Sequence, residues 1–328
     1  MYVRKGRLPT HCGCQVPIIL LRNIQLHSRH ITVMADSNLL PDPRLRQPVH
    51  YSIQEVVSAL TDFYEFLATL PHIDSSAIDH APPGGWPEIT RESLAKRDIH
   101  KPDEAVELLR HLPYIRGEVG ERFNWIAPEC FACDWRLVSR PDLRELQPPP
   151  PSLGWLHCNS QGKWEWPEWV VQLTAGRDRE EWVLLLDTTD GTVTRYYAMY
   201  YVYEPTYRED DPRSWRDRCC DETLPIWEFM DRWRQKYIDV GWLGIPNEKL
   251  SAIRIGWIPY DEEEQDDDSD SEDDNPRPKG KWADDTTDLV HIYKKYGWPH
   301  DFKRDECRRA LLEWKRTQPD YVRNIDYN

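Results

Sequence analysis

The stretch WVLLLDTTDGTVTRYYAMYYVY, residues 182–203, decides how this chain is read, because two β-rich runs meet in it at a polar, glycine-containing turn. Val183 to Leu186 are continuously apolar, and Thr192 to Val202 are dense in β-branched and aromatic residues. Asp187-Thr188-Thr189-Asp190-Gly191 between them therefore reads as a hairpin connection, with the two Asp as turn formers that bond their own backbone. The same letters nearly spell a catalytic loop. A hydrophobic strand followed by D-x-D-G-T opens the haloacid-dehalogenase-type phosphohydrolases, where one Asp attacks phosphorus and the second protonates the leaving group beside a magnesium ion. Here Asp187 and Asp190 are three positions apart rather than two, and no helix follows Thr192 for about twenty residues, as the parallel sheet of that fold would require. The hairpin is the preferred reading, and the phosphohydrolase using Asp187 and Asp190 is the alternative.

Working outward, the strand before the hairpin lies around Trp169 to Leu173, with Ala175-Gly176-Arg177-Asp178 as the intervening turn. After it, Ile226, Phe229, Met230, Trp233 and Tyr237 line one helical face, with Pro225 near its start and Gly241 as its stop. Toward the N-terminus, Ser52-Ile53-Gln54-Glu55 is a capping-box pattern. It opens a helix whose apolar face runs Ile53, Val56, Val57, Leu60, Phe63, Leu67, Leu70 up to Pro71. A second helix is expected from Pro102 to Leu112. The run Gln147-Pro-Pro-Pro-Pro-Ser152 reads as a stiff connector. Toward the C-terminus, a short helix from Leu289 to Tyr296 and a last one carrying Cys307, Ala310, Leu311 and Trp314 are expected.

These elements predict an α+β fold: an antiparallel β-sheet core packed with helices, a helical N-terminal part and a helical C-terminal cap. The expected organisation is an N-terminal extension over 1–40, a mainly helical part over 45–147 and a β-rich core with its following helix over 153–260. A solvated acidic loop over 261–281 and a helical cap over 282–328 complete it.

The formal charge of −15 is unevenly spread over the 328 residues. Residues 1–35 hold five bases and no acid, whereas 261–275, DEEEQDDDSDSEDDN, hold eleven acids and no base. Setting both aside leaves about −9 for the body, so no basic surface is on offer to phosphates and a nucleic-acid partner is not expected. The acidic run repels itself and cannot bury apolar surface. Ser269 and Ser271 each precede an acid by three positions, an acidophilic kinase pattern, and are the candidate phosphorylation sites. The N-terminal segment admits two readings: a transit-peptide composition, or an extension ahead of a true start at Met34. Its longest apolar run, Val16 to Leu21, is too short to span a bilayer, so no membrane association is expected. Eight Cys at this length make no disulfide scaffold, and a reducing compartment, cytoplasmic or nuclear, is the expectation.

Cys130-Phe-Ala-Cys133, with His157 and Cys158 downstream, supplies four weak candidate zinc ligands, since two Cys two residues apart can grip one ion. The adjacent second pair would reach the same ion poorly, and packing is the preferred role. Trp164, Trp166 and Trp169 offer either a stacking platform or core aromatics, core packing being preferred. No Gly-rich phosphate loop, Ser-His-Asp pattern or H-E-x-x-H occurs, and nothing calls for a cofactor.

The order of a capped helix, a strand carrying VVQLTAG, a strand ending LLLD, a DG-type turn, the strand TVTRYY and the helix IWEFMDRWRQKY resembles the SUKH superfamily over about residues 160–240. That grouping includes bacterial toxin-immunity proteins and fungal regulators of cell-wall synthesis. FYEFL, PPGGWPEIT, LLRHLPYI, LLLDTTDGTVT and YGWP extend a likeness to uncharacterised fungal proteins over about 50–320. The resemblance implies a non-enzymatic protein-interaction or regulatory module linked to fungal cell-wall or signalling regulation. It also implies that the sheet face and rim contact the partner, here through Trp182, Tyr196, Tyr197 and Tyr200. The long helical part before Pro148 and the acidic insertion after Tyr260 depart from the pattern.

Overall fold

The computed structural model describes residues 40–116, 125–128, 130–139, 166–175, 182–197, 204–219, 222–246, 251–254 and 281–317. Helix α1, Ile53–Ala68, begins where the Ser52 hydroxyl accepts the Glu55 N–H at 3.3 Å, satisfying one donor that the first turn leaves over. Its buried residues Val56, Leu60, Phe63, Tyr64 and Leu67 form the expected stripe. Strand β1 (Ile78–Asp79), the short helix α2 (Arg91–Ala95), helix α3 (Asp103–His111) and strand β2 (Tyr114–Ile115) follow, β1 pairing antiparallel with β2. In α3, Pro102 precedes the first turn, which carries Asp103 and Glu104, and the last turn carries Arg110 and His111, so the charges complement the helix dipole at both ends.

Strands β3 (Trp125–Ala127), β4 (Cys130–Ala132), β5 (Val170–Gln172) and β6 (Thr174–Ala175) come next, then the hairpin of β7 (Trp182–Asp187) and β8 (Thr192–Tyr197). Strand β9 (Thr223–Pro225) runs directly into helix α4, Ile226–Ile238. Strands β10 (Trp242–Ile245) and β11 (Ser251–Arg254) and helices α5 (Lys281–Lys295) and α6 (Arg304–Thr317) complete the order. The main sheet runs β5-β7-β8-β9, a smaller one β3-β4-β6, and β10 pairs with β11. Every one of these pairings is antiparallel. The α+β architecture with an antiparallel core is therefore what the chain adopts. Residues 170–175 serve both larger sheets, pairing with β7 through Val170–Gln172 and with β4 through Thr174–Ala175.

The apolar run that reads ambiguously in sequence has a simple cause, since β7 is covered on both faces. Alternation sends Leu184 and Leu186 into the main core beside α1 and α4, and Val183 and Leu185 into a second cluster with Val170, Tyr196, Trp215 and Cys219. Each such side chain contributes about 1.5–3 kcal/mol by leaving water. The main core is continuous from Val56 through Leu184 and Trp233 to Leu311, so it crosses the sequence boundaries drawn at the polyproline run and at the acidic run. Phe63 of α1 meets Trp233 of α4 edge-on at 6.1 Å.

Several local expectations are modified. The segment before the polyproline run contains β1 to β4 as well as helices, and α5 begins at Lys281 rather than at Leu289. The strand expected around Trp169 to Leu173 has Val170 as its first paired residue, and Trp166 lies outside any strand. No described helix is long and apolar enough to cross a membrane.

Candidate functional site

Asp187 ends β7, Thr192 opens β8, and the turn between them closes with Gly191 N–H donating to the Asp187 carbonyl at 2.8 Å. Gly191 has φ +79°, and a Cβ there would stand 3.2 Å from the Tyr51 Cα, so glycine is required both by conformation and by the chain packed over the turn. Each Asp splits its two oxygens between the turn and one distant cation. Asp187 Oδ1 accepts the Thr189 N–H at 2.9 Å and its hydroxyl at 2.6 Å, and Asp190 Oδ1 accepts the Thr192 N–H at 3.0 Å and its hydroxyl at 2.7 Å. Both are the turn formers expected from the sequence.

The second oxygens meet Arg216, which lies in a 3-10 turn over Ser214–Arg218 and is fully buried. Its Nη2 donates to Asp187 Oδ2 at 2.8 Å, Asp190 Oδ2 at 2.7 Å and Thr192 Oγ1 at 3.0 Å, while Nη1 donates to Asp42 Oδ2 at 2.5 Å. A second layer surrounds the first. The Tyr207 hydroxyl donates to Asp42 Oδ1 at 2.8 Å, Arg213 pairs with Asp211 at 2.7 Å, and Arg44 pairs with Asp217 at 3.0 Å. The guanidinium carbons of Arg44 and Arg213 sit 5.3 and 5.5 Å from the Tyr207 ring centroid.

Burial works against the Arg216 charge, but Asp190, Asp187 and Asp42 outweigh it and hold the guanidinium above its ordinary value. For Asp187 the balance tips the other way: burial first and then the Asp190 charge raise its carboxyl above the ordinary range, against Arg216 and the Thr189 donors. A buried ion pair of this kind costs heavily in desolvation, which is offset because every carboxylate oxygen of Asp187, Asp190 and Asp42 accepts a hydrogen bond; the Arg216 Nε has no partner among the described residues.

Chemically, the arrangement is a clasp. An in-line phosphoryl acceptor needs one carboxylate oxygen aimed at open space, and both oxygens of Asp187 and of Asp190 are occupied. The connectivity is likewise that of a hairpin, since β7 pairs with β8 in register from Trp182↔Tyr197 to Asp187↔Thr192. The strand-to-helix passage of the phosphohydrolase pattern is absent at this position.

Of the residues expected to face a partner, Tyr196 is a correction. It is 4% exposed, with its ring edge-on to Trp166 at 5.3 Å, and Trp166 is in turn edge-on to Trp215 at 5.9 Å. The sheet face it was expected to present is covered by this aromatic layer. Trp182 pairs opposite Tyr197 through the backbone; the side chains of both, and all of Tyr200, lie outside the described residues. Trp166 and Trp169 pack against the second cluster, as core packing requires, and Trp164 is outside the described residues.

Cys130 and Cys133 are buried thiols rather than disulfides, and burial, then Cys130 and Asp134, push the Cys133 thiol well above its ordinary value. His157, Cys158, Ser269 and Ser271 lie outside the described residues, and among those described no group of three or more His, Cys, Asp or Glu is placed to hold a metal.

Two grooves that sequence reading did not anticipate open on the surface. One, of about 530 Å³, has Ile53, Ile89 and Val106 as its floor and Asp103, Glu104 and Glu107 at its rim. The other, of about 610 Å³, is lined by Phe66, Ile238, Trp298 and Phe302, with His300 and Arg304 at its edge. No protein-family model, no curated protein and no solved structure matches the chain.

Proposed function

We propose that this chain is a non-enzymatic protein-interaction or regulatory module of SUKH-like type, working in a reducing compartment such as the cytoplasm or nucleus and linked to fungal cell-wall or signalling regulation. The observation that supports this reading best is the Arg216 clasp, because it turns the one pair of residues with a catalytic spelling into a structural tie. The four described cysteines are buried thiols, which suits the compartment. The acidic balance of the body suits a protein rather than a nucleic-acid partner.

Two measurements test it together. Purified chain incubated with magnesium and p-nitrophenyl phosphate is expected to release no nitrophenol above a protein-free control; turnover that disappears in both Asp187→Asn and Asp190→Asn would establish the phosphohydrolase instead. Affinity capture at low salt, with full-length chain as bait, is expected to recover a discrete protein partner. Failure to enrich any protein over bait-free resin counts against the module.

A further inference from the structure

The groove bounded by the end of α1, the end of α4 and the start of α6 has an aromatic floor and a cationic edge. Phe66, Ile238, Trp298 and Phe302 line it, and the Trp298 indole is fixed by donating Nε1–H to the Tyr237 carbonyl at 3.0 Å. Phe302 meets Trp298 edge-on at 4.9 Å and stacks on Tyr293 at 5.5 Å, so the floor is rigid and preformed. The cations around it are anchored mainly by backbone carbonyls. Arg304 donates Nε to the Leu70 carbonyl at 3.0 Å and Nη2 to the Ile73 carbonyl at 2.8 Å; among the described residues its one carboxylate contact is the exposed Asp305 at 3.1 Å. Arg308 donates to the Pro71 carbonyl. Arg234 lies 5.5 Å over the Phe66 ring, and its Nε has no hydrogen-bond partner among the described residues.

Carbonyls orient a guanidinium but carry no charge to cancel it. The resulting positive field is felt nearby: Arg304 and Arg308 add to the burial that disfavours protonation of His72, and they favour the ionised form of Asp74 behind its Ser76 hydrogen bonds. The other groove differs in this respect. Two of its three rim acids are matched locally, Asp103 by Arg91, and Glu107 by Arg110 at 2.9 Å.

We infer that the groove of Phe66, Trp298 and Phe302, edged by His300 and Arg304 and with Arg234 over the Phe66 ring, docks an acidic peptide segment of a protein partner that inserts an apolar side chain over the aromatic floor. The inference rests on the interaction-module reading and names the surface that module uses. Charge complementarity selects an acidic occupant, and the volume of about 610 Å³ suits one or two anchoring side chains with carboxylates on either side.

The test uses the full chain and a fluorescein-labelled peptide of Glu, Asp and Leu, read by fluorescence anisotropy, with a Lys and Leu peptide as the charge-reversed control. Saturable binding of the acidic probe, weakening as salt is raised, is expected, with none of the basic control. His300→Glu and Arg234→Glu are each expected to weaken it by about tenfold without changing the thermal midpoint. Arg304 is left intact, because its hydrogen bonds hold the segment that follows α1. Wild-type affinity in both variants, or binding of the basic peptide as tight as that of the acidic one, overturns the assignment. So does a gain of tenfold or more on deleting 261–275, which would show that the chain's own acidic run fills the groove. If a captured partner binds the variants as tightly as the wild type, this groove fails while the module stands; if no partner exists, the module itself fails.

Discussion

Arg216 reaches four acceptors from a position that nothing in its own neighbourhood announces. It lies in the loop EDDPRSWRDRC, with two other arginines and four acids, and its partners are 24 to 29 residues back in the hairpin and 174 back at Asp42. The roles of Asp187 and Asp190 in the turn are legible because a turn is local: the side chain bonds an amide two residues on. Their second role is not, since it depends on where a distant loop folds. Tyr196 is misread for a related reason. The resemblance names it as part of a sheet face but says nothing of what covers that face, and the cover comes from Trp166, with Trp215 against it. Arg216→Met leaves three carboxylates facing one another in the interior, and it is expected to cost about 3–5 kcal/mol at neutral pH by urea unfolding. Asp187→Asn keeps the Arg216 contacts to Asp42 and Asp190 and is expected to cost less. The pH dependence has a definite sign. Because the folded Asp187 carboxyl is raised, it stabilises the fold in acid and gives that stability up as pH climbs above the ordinary carboxylate range. The wild-type advantage over Asp187→Asn should therefore shrink with rising pH in that window. An advantage that grows instead would contradict the direction of the shift.

Among the elements, helices with caps and stripes are the most legible. Ser52 and Pro102 mark the starts of α1 and α3 within a residue, because capping and a locked φ act within one turn. Strands shorter than five residues leave no period to read, and β10 shows why. Its four residues Trp242–Ile245 are all buried, and Gly244 interrupts what would otherwise be an apolar run. That glycine is set by tertiary contact: an added Cβ would stand 2.0 Å from His72 Nδ1, whose ring is fully buried with Nε2 against the Trp125 carbonyl at 3.1 Å. The strand admits no side chain here because the end of the α1 segment lies against it. Gly244→Ala is expected to lower stability by about 1–3 kcal/mol through overpacking. Gly241→Ala, whose Cβ would meet nothing nearer than the Lys236 carbonyl at 3.4 Å, should stay within about 0.5 kcal/mol of wild type. Comparable melting temperatures for the two variants would show that His72 yields to a methyl group and that the close approach is not a constraint.

At the scale of the whole molecule, what sequence cannot show is how segments far apart share one core. The polyproline run looks like a boundary because it stops local periodicity, yet α1 from before it packs on α4 from well after it, and Trp298 of the C-terminal part closes on Phe66 at 6.2 Å. A stiff connector limits local conformation and leaves long-range packing free. The strap of residues 40–51 is the other long-range tie. Asp42 accepts from Arg216 and from Tyr207, its backbone and side chain order Arg44 and Leu45, and the chain then passes over Gly191 at His50 and Tyr51. Asp42 therefore ties the strap to the Arg216 loop directly and, through Arg216, to the hairpin turn. If that joint is cooperative, Asp42→Ala should raise amide hydrogen exchange together in residues 40–51, 187–192 and 206–219 while α1 and α4 stay protected, since their packing does not depend on Asp42. Faster exchange limited to residues 40–51 would mean that the turn and the Arg216 loop are held by Asp187 and Asp190 alone, and that the strap lies on the hairpin without helping to close it.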